Sequence, residues 1–382
     1  MIVSLLRVGS SVAIIALAVI WTVIVLAAES QWQVLAALVV AAVAIFAFSR
    51  MRAGRDLAFT LNDSGPSIIA IIPLAVLVVA FAIHQDHFQL MMLASVLIYG
   101  IACVGLTVQF GYAGVINFAG AAFFGIGGYT AAVLGSTGVP SLLTLLAGGL
   151  TAAMIGCIII LPVLRTKGHY AALITIAFGL LFRSFLEVNH TLGGPQGLKV
   201  EGASIAGRSL LNGIQLGTLE PSFYFNYVLL ALAAFTLFFL LARNLEKSWI
   251  GLNLDAVRED TIGASVFGIN VAAWRIFAFV AGNFLIGVAG ALFAMMQNFI
   301  APSNFTFSDS LLMLSIIVLG GIGNLWAVLP AAILVVVLPE KLQGIGEYRI
   351  FVFAILVVLV LRFRPAGLFP RSMRQFRREV GQ

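Results

Sequence analysis

The segment LMMLASVLIYGIACVGLTV, from Leu90 to Val108, decides the fold class of this chain. It carries no charged side chain, and a helix of about 20 mostly apolar residues crosses the hydrocarbon core of a bilayer. Of the 382 residues, 62% are hydrophobic and 9% are charged, against roughly 45–50% and about 25% in a soluble domain. The sequence therefore predicts an all-α polytopic integral membrane protein with about 10–12 transmembrane helices.

Apolar segments of helix length recur along the chain and define its organisation. We assign residues 1–66 to an N-terminal transmembrane hairpin with a cytoplasmic linker, residues 67–370 to the main transmembrane domain and residues 371–382 to a basic cytoplasmic tail. The predicted spans are Ser11 to Ala28, Val34 to Phe48, Ser67 to Ile83, Leu90 to Val108, Ala119 to Leu134, Ser141 to Leu164, Tyr170 to Val188, Phe223 to Leu241, Trp274 to Gln297, Leu311 to Leu319, Leu325 to Leu338 and Ile350 to Leu361.

Membrane topology explains the charge of the chain better than a nucleic-acid partner does. The net charge is +6, but Lys and Arg lie singly between apolar segments and in the short tail, without a basic face on a soluble module. Short cytoplasmic loops are enriched in Lys and Arg. That rule places Arg50, Arg165, Lys167 and Arg243 in the cytoplasm, and the parity of the spans then puts both termini there.

Two glycine-rich segments are unusual for simple lipid-facing helices. GYAGVINFAGAAFFGIGG runs from Gly111 to Gly128, and LGGIGN runs from Leu319 to Asn324. Each is either a broken or re-entrant segment that lines a translocation pathway, since non-helical backbone in a membrane needs cover from protein or water, or a site of tight helix packing with a turn. On the first interpretation the candidate pathway residues are Gly111, Gly114, Asn117, Gly120, Gly125, Gly320, Gly321 and Asn324.

The sequence contains no residue set typical of catalysis. It has no GxxxxGK[ST] phosphate loop, no HExxH, no GxSxG and no CxxC. His84 and His87, in a predicted outside loop, indicate solvated residues rather than a metal site. Cys103 and Cys157 lie within apolar segments, which favours small buried side chains over a disulfide. We therefore predict neither a catalytic residue nor a metal ligand.

A charged pair and a turn-rich loop stand out on the side predicted to be outside. Arg183 lies within the seventh predicted span, and Glu187 follows one turn later, where an i,i+4 pair forms. This arginine is either neutralised at the outer interface or placed near the mouth of a pathway. The loop that follows contains Gly193, Gly194 and Pro195 and is either a docking ledge for an external partner or an ordinary connection.

The inside stretch from Arg243 to Arg275 is the richest polar segment of the chain. Within it, DAVREDTIGASVFG from Asp255 to Gly268 mixes apolar and charged side chains in an amphipathic helical pattern, and Gly268 is typical of a helix stop. Mixed charge makes anionic lipid a poorer partner than a protein. We predict one short surface helix that contacts a cytoplasmic partner through Ala256, Val257, Arg258, Glu259, Asp260, Ile262 and Gly268.

The chain resembles the LivM-type permeases of branched-chain amino-acid ABC importers from about Ser95 to Pro370. The resemblance rests on the order and spacing of several segments, each weak alone. They are GYAGVINFAGAAFFGIGGYTAAVL at Gly111 to Leu134, TLGGPQGL at Thr191 to Leu198, AVREDTIGASVFGIN at Ala256 to Asn270, FLIGVAGALFA at Phe284 to Ala294, IVLGGIGNLWAVLPAA at Ile317 to Ala332, and RFRPAGLFP at Arg362 to Pro370.

The resemblance implies a transport subunit of the bacterial inner membrane rather than an enzyme. Its implied partners are a second, LivH-type permease, two cytoplasmic ATPase subunits, a periplasmic solute-binding protein and membrane lipid. ATP and Mg would be bound by the ATPases, and no cofactor by this chain. The segment from Ala256 to Gly268 would be the coupling helix, whose movement with the ATPases rocks the spans between inward and outward states.

Alternatives and departures accompany that resemblance. Related importers handle urea, amides or aromatic acids, and an ion-coupled secondary transporter is the rival class, although it would be expected to carry buried acidic residues. Asp255 stands where a basic residue is expected, Gly263 where a small helix former is expected, and Gly120 where a His is often found.

Overall fold

The computed structural model describes residues 20–28, 33, 66–166, 169–205, 208–211, 221–342, 346, 348–369 and 371. Most of the predicted N-terminal hairpin and of the basic tail lies outside these residues, including the predicted span Val34 to Phe48. Within the described part, six helices are long and apolar enough to cross a membrane. Helices dominate because a segment in lipid must satisfy its backbone hydrogen bonds internally.

Thirteen α-helices follow the helical residues 20–27 in the described part of the chain. The predicted all-α polytopic class is confirmed. The helices are α1 Pro66–Ala82, α2 His87–Leu106, α3 Gly120–Gly135, α4 Ser141–Arg165, α5 His169–Val188, α6 Tyr224–Lys247, α7 Trp249–Glu259, α8 Thr261–Val266, α9 Val271–Gln297, α10 Phe307–Gly320, α11 Val328–Ala332, α12 Leu338–Lys341 and α13 Tyr348–Phe363.

Helix α9 lies at the centre and packs against α2, α3 and α4. Glycines allow the backbones to approach: a side chain at Gly287 would overlap the carbonyl oxygen of Gly148 in α4, and one at Gly290 would overlap the carbonyl oxygen of Phe124 in α3. Close backbone approach at small residues is the usual way in which membrane helices associate, since lipid gives no hydrophobic force between them. The core is therefore a glycine-lined helix cluster.

Both predicted helix breaks are present. Helix α2 continues as a π-helical turn, Thr107–Tyr112, and residues 114–119 are non-helical before α3 begins. Helix α10 ends at Gly320, and residues 321–324 are non-helical, with positive φ at Gly321 (124°) and Gly323 (87°). Such φ values favour glycine. The predicted span Leu325 to Leu338 is helical throughout but changes helix type along its length, from a 3₁₀ turn through α11 and a π-helical turn, Ile333–Val337, to the start of α12.

Short strands fasten the loops at the end of the molecule where α9 finishes. Strand β1 (Leu198–Lys199) pairs antiparallel with β4 (Phe299–Ile300), and β2 (Ser204–Ile205) with β3 (Arg208–Ser209). Tyr227 of α6 accepts a hydrogen bond from Ala203 N and donates one to Met295 O, both at 3.0 Å. These bonds tie the loop after α5 to α6 and α9.

The same end holds the helical residues 20–27 near α12. Lys341 Nζ donates to Leu26 O at 2.6 Å and to Ala28 O at 3.0 Å. Its ammonium also lies 5.7 Å from the ring centroid of Phe88, within the range of a cation–π contact. One lysine thus caps the carboxyl end of the first described helical segment.

The two cysteines differ in environment. Cys103 in α2 is buried, as predicted, and its Sγ lies 3.5 Å from Met313 O. Cys157 in α4 is exposed, so the prediction of a buried side chain is wrong there. Helix α4 packs on α9 with one face and leaves apolar side chains such as Met154 and Ile158 on its outer face, beside Cys157.

Candidate functional site

The segment predicted to be one amphipathic helix from Ala256 to Gly268 is two helices, so that prediction is wrong in its continuity. Helices α7 and α8 meet at Asp260, whose backbone is extended (φ −147°, ψ 105°). The Asp260 carboxylate accepts a hydrogen bond from Ile262 N at 2.9 Å, and aspartate favours such N-cap positions over helix interiors. Gly268, with φ 79°, follows the end of α8 as predicted.

Helices α7 and α8, which we call the coupling segment after the role that the resemblance predicts for them, do not present their apolar residues on one face. Leu254 and Val257 of α7 are fully buried against the body of the protein. Ile262, Val266 and Phe267, in α8 and just after it, are 76%, 79% and 86% exposed. The other predicted contact residues of α7 are half-buried or exposed, namely Ala256 and Glu259.

Arg258 joins the coupling segment to both helix breaks. Its Nη1 donates to the carbonyl oxygen of Gly111 at 2.5 Å. Its stem runs beside Gly114, where a Cβ would lie 3.5 Å from Arg258 Cγ, and Nη1 lies 3.2 Å from the position that a Cβ on Gly323 would take. Three segments singled out separately in the sequence therefore meet at one guanidinium.

The two breaks also touch each other directly. A Cβ on Gly111 would lie 2.6 Å from Gly323 Cα, a separation that real side chains do not reach. Gly111 therefore permits a backbone-to-backbone contact that any other residue would push apart. We use the name junction for this meeting point, which is formed by Gly111, Gly323, Arg258 and Arg371.

Arg371 closes the junction from the C-terminal side. Its guanidinium binds Asp255 of α7 in bidentate geometry at 2.7 and 3.1 Å and lies 3.2 Å from Glu246 at the end of α6. It also lies 4.8 Å from the ring centroid of Tyr112. Burial lowers the pKa of Arg371, but hydrogen bonding to Asp255 and the charges of Asp255 and Glu246 outweigh it and raise the pKa above its usual value.

The second break packs against the chain that follows α13. Leu368 N donates to Leu319 O and Phe369 N to Gly320 O, each at 2.8 Å. Asn324 Nδ2 donates to Phe369 O at 2.9 Å, and Gly321 lies against the same carbonyl. The predicted pathway residues Gly320, Gly321 and Asn324 thus lie beside the junction, where their polar groups are satisfied by backbone.

Asn117 of the first break belongs to a buried cluster of three amides. Gln109 Nε2 donates to Asn283 Oδ1 at 2.9 Å and to Phe279 O at 3.0 Å. Asn117 Nδ2 donates to Gln109 Oε1 at 2.9 Å and to Asn283 Oδ1 at 3.1 Å, while its Oδ1 accepts from Ala119 N. The three side chains are at most 2% exposed, and they hold the break against α9.

Backbone N–H groups at the start of α3 donate hydrogen bonds to hydroxyl groups of other helices. Phe118 N donates to Thr175 Oγ1 of α5 at 3.1 Å, and Ala121 N donates to Ser310 Oγ of α10 at 3.0 Å. Gly120 packs against Met313, and Gly125 against Phe182 and Phe305. These two predicted pathway glycines therefore lie in helix packing, and a pathway role for them stays a prediction.

The residues predicted for external docking lie at the end opposite the junction. Arg183 Nε donates to Glu187 Oε1 at 2.9 Å, which confirms the predicted pair. Gly193 and Gly194 have positive φ (81° and 52°); Gly193 separates two 3₁₀ turns, and Gly194 and Pro195 begin the second. Nearby lies a cavity of about 360 Å³, lined by residues that include Gly135, Pro140, Ser141, Glu201, Ser204 and Met295. Docking there stays a prediction.

Sequence reasoning did not identify Arg371, Gln109 or Asn283. Gln109 and Asn283 are amides within long apolar runs, and a polar group in a membrane span normally has a partner or a function, so each carried a signal. Arg371 carried none, because it looks like one of several arginines in a basic tail. Only the fold shows that it reaches Asp255.

Most of the chain is similar to known proteins. A family model described as "Branched-chain amino acid transport system / permease component" matches residues 89–361. The chain is 32% identical over 331 residues to the high-affinity branched-chain amino acid transport system permease protein LivM of Escherichia coli K12, covering 81% of this chain and 77% of that protein.

Two further relatives give the same picture. LivM of Salmonella typhimurium is 31% identical over 329 residues, covering 81% of this chain and 76% of its own length, and the permease LivH of that organism is 27% identical over 300 residues, covering 72% and 91%. No solved structure matches the chain significantly. Because the family model matches residues 89–361 and both LivM proteins exceed 30% identity over 81% of this chain, the chain belongs to the family of permease components of branched-chain amino acid transport systems.

Proposed function

We propose that this chain is the transmembrane permease subunit of an ATP-driven importer that passes branched-chain amino acids from a periplasmic binding protein to the cytoplasm. It lies in the bacterial inner membrane beside a LivH-type permease, with both termini and the junction in the cytoplasm. Two separate ATPase subunits bind ATP and Mg. The relatives named as branched-chain amino acid permeases support this substrate class.

The observation that carries the proposal is the link from Arg258 to Gly111. A coupling element must transmit movement from its partner to the spans, and rigid bodies joined by specific contacts do this. Arg258 lies in the coupling segment, and Gly111 lies where α2 gives way to the break that leads into α3. A displacement of α7 therefore acts on two core helices at once.

The exposed apolar face of α8 supports a protein partner. Ile262, Val266 and Phe267 are apolar and more than three-quarters exposed, and they project from a short helix beside the exposed carboxylates of Glu259 and Asp260. Amphipathic helices of this kind bind grooves on other proteins. We assign this face to a groove on the ATPase subunit.

The placement of carboxylates argues against ion coupling. Among the described residues, the acidic side chains within the long apolar helices lie in terminal turns, as Glu187, Glu246 and Asp309 do. Proton- or sodium-coupled carriers use acidic groups at membrane depth. The described residues buried between the helix ends include neutral amides such as Gln109 and Asn283 and one cation, Arg243, but no carboxylate.

Leucine uptake into liposomes tests the proposal. The chain is co-expressed with the second permease, the ATPases and the binding protein, purified as a complex and reconstituted with ATP inside. We expect radiolabelled leucine to accumulate only when ATP and the binding protein are both present. Valine and isoleucine compete, whereas urea, an amide and an aromatic acid do not.

Two outcomes would overturn the proposal. Leucine uptake driven by a proton or sodium gradient without ATPase subunits contradicts the importer class. Competition by urea, the amide or the aromatic acid, with none by valine, contradicts the substrate class and leaves the ATP-driven mechanism intact.

A further inference from the structure

We infer that Arg371 is a positioning residue that holds the coupling segment, the end of α6 and both helix breaks together as one moving body. The inference rests on the proposed function, because it concerns how movement of the ATPases reaches the spans. Arg371 itself touches neither the transported solute nor ATP. It acts through the residues that it binds.

Arg371 lies where several parts of the chain meet. Arg371 contacts four separate parts of the chain: Asp255 in α7, Glu246 in α6, Tyr112 at the end of the π-helical turn, and Gly323 in the second break. A Cβ on Gly323 would lie 2.9 Å from Arg371 Cδ. One planar guanidinium with fixed donors thus sets the mutual positions of segments that are distant in sequence.

Arg371 is the shared counter-charge of two carboxylates. Arg371 is 15% exposed, and its partners Glu246 and Asp255 are 11% and 25% exposed. Two largely buried carboxylates thus share this guanidinium. Removing one partner of a buried ion pair leaves the charge of the other uncompensated. Without Arg371, the carboxylates of Glu246 and Asp255 lack their shared counter-charge and repel each other, which shifts Asp255 of α7 away from the end of α6.

The contacts of Arg371 differ from the link made by Arg258. Arg258 binds the first break, whereas Arg371 brings in α6 and the chain after α13. Loss of Arg371 leaves α8 exposed to its ATPase partner and leaves the bond to Gly111 in place. Hydrolysis therefore continues, but less of the movement reaches the spans.

The test measures ATP hydrolysed per leucine transported in the reconstituted complex. For Arg371→Gln we expect this ratio to rise by roughly fivefold or more, the lower end of typical coupling effects. Arg371→Asp alone behaves similarly. The exchange Arg371→Asp with Asp255→Arg restores the attraction in reverse and returns the ratio toward that of the unmodified chain.

Arg364→Gln is the matched control, because Arg364 lies on the same segment and, among the described residues, its side chain bonds to Leu368 O alone, at 3.4 Å. Its ratio should equal that of the unmodified chain. An unchanged ratio in Arg371→Gln, or a parallel fall of uptake and hydrolysis that the exchange does not reverse, overturns the inference. Failure of the unmodified complex to couple uptake to ATP is a different result, which rejects the proposed function instead.

Discussion

Asp255 and Gly263 depart from the residues expected by resemblance, and each has a specific role in this chain. Asp255 accepts two hydrogen bonds from Arg371, which a basic residue could not do. At Gly263 a Cβ would lie 2.7 Å from Asp260 Oδ2, so the absence of a side chain leaves room for the carboxylate that caps α8. Both departures act inside the chain, toward its own fold.

Asn283 is the residue on which the buried amide cluster depends. Its Oδ1 accepts from both Gln109 and Asn117, and no water competes for these donors at zero exposure. Replacing Asn283 with Leu leaves one N–H of each donor without its partner. Each buried unsatisfied donor costs about 1–3 kcal/mol.

We therefore expect Asn283→Leu to lower the free energy of unfolding by about 2 kcal/mol or more. A lower melting temperature of the purified complex, measured by intrinsic fluorescence, would show this loss. Asn253→Leu serves as control, because the Asn253 side chain is partly exposed and, within the described part of the chain, bonds only to Trp249 O one turn away in α7. Equal melting temperatures for the two variants would show that the cluster does not stabilise the break.

At the scale of elements, the coupling segment shows what local sequence information can and cannot predict. Its helical character and its stop at Gly268 follow from residues close in sequence and are confirmed. The break at Asp260 follows from a side-chain cap that competes with helix continuation, and periodicity alone does not reveal it. The result is an α7 that buries Leu254 and Val257 and an α8 with exposed apolar side chains, rather than one continuous helix.

The exposed face of α8 gives a prediction at this scale. Val266→Lys combined with Phe267→Lys should weaken binding of the ATPase subunit about tenfold or more, since loss of a central interface residue costs roughly 2 kcal/mol. Co-purification of the ATPase with this chain measures the effect. Both residues are about 80% exposed or more, so the folded bundle should be unaffected.

Phe299→Lys provides the comparison, because Phe299 is 48% exposed at the opposite end of α9. It should retain the ATPase fully. If the double variant also retained it, the partner surface would lie elsewhere on the coupling segment.

At the scale of the molecule, the spans were predictable and the junction was not. Long apolar runs predict membrane helices because the cost of burying polar groups in lipid is local to each segment. Contacts such as Gly111 with Gly323 or Arg371 with Asp255 depend on how the helices assemble. Glycine and arginine at those positions are compatible with many other environments, so no local pattern singles them out.

The orientation of the whole bundle gives the last prediction. Ser265 in α8 and Ser136 beyond α3 are both exposed and lie at opposite ends. In a background with Cys103→Ala and Cys157→Ala, a membrane-impermeant maleimide added to spheroplasts should label Ser136→Cys and spare Ser265→Cys. Both should react after lysis.

The reverse labelling pattern would place the junction and the C terminus outside. A reporter fused after Gln382 gives an independent check, since it should behave as a cytoplasmic protein. Disagreement between the two experiments would point to a different number of spans between α8 and the C terminus.

The contact of Lys341 with the end of helical residues 20–27 has a consequence for biosynthesis. Lys341 is separated by 315 residues from Leu26, whose carbonyl it caps. A ribosome adds residues in order, so the first helical segment enters the membrane long before its cap exists. Its final seating must wait for α12, and a chain truncated before Lys341 would leave that helix end uncapped in an otherwise inserted bundle.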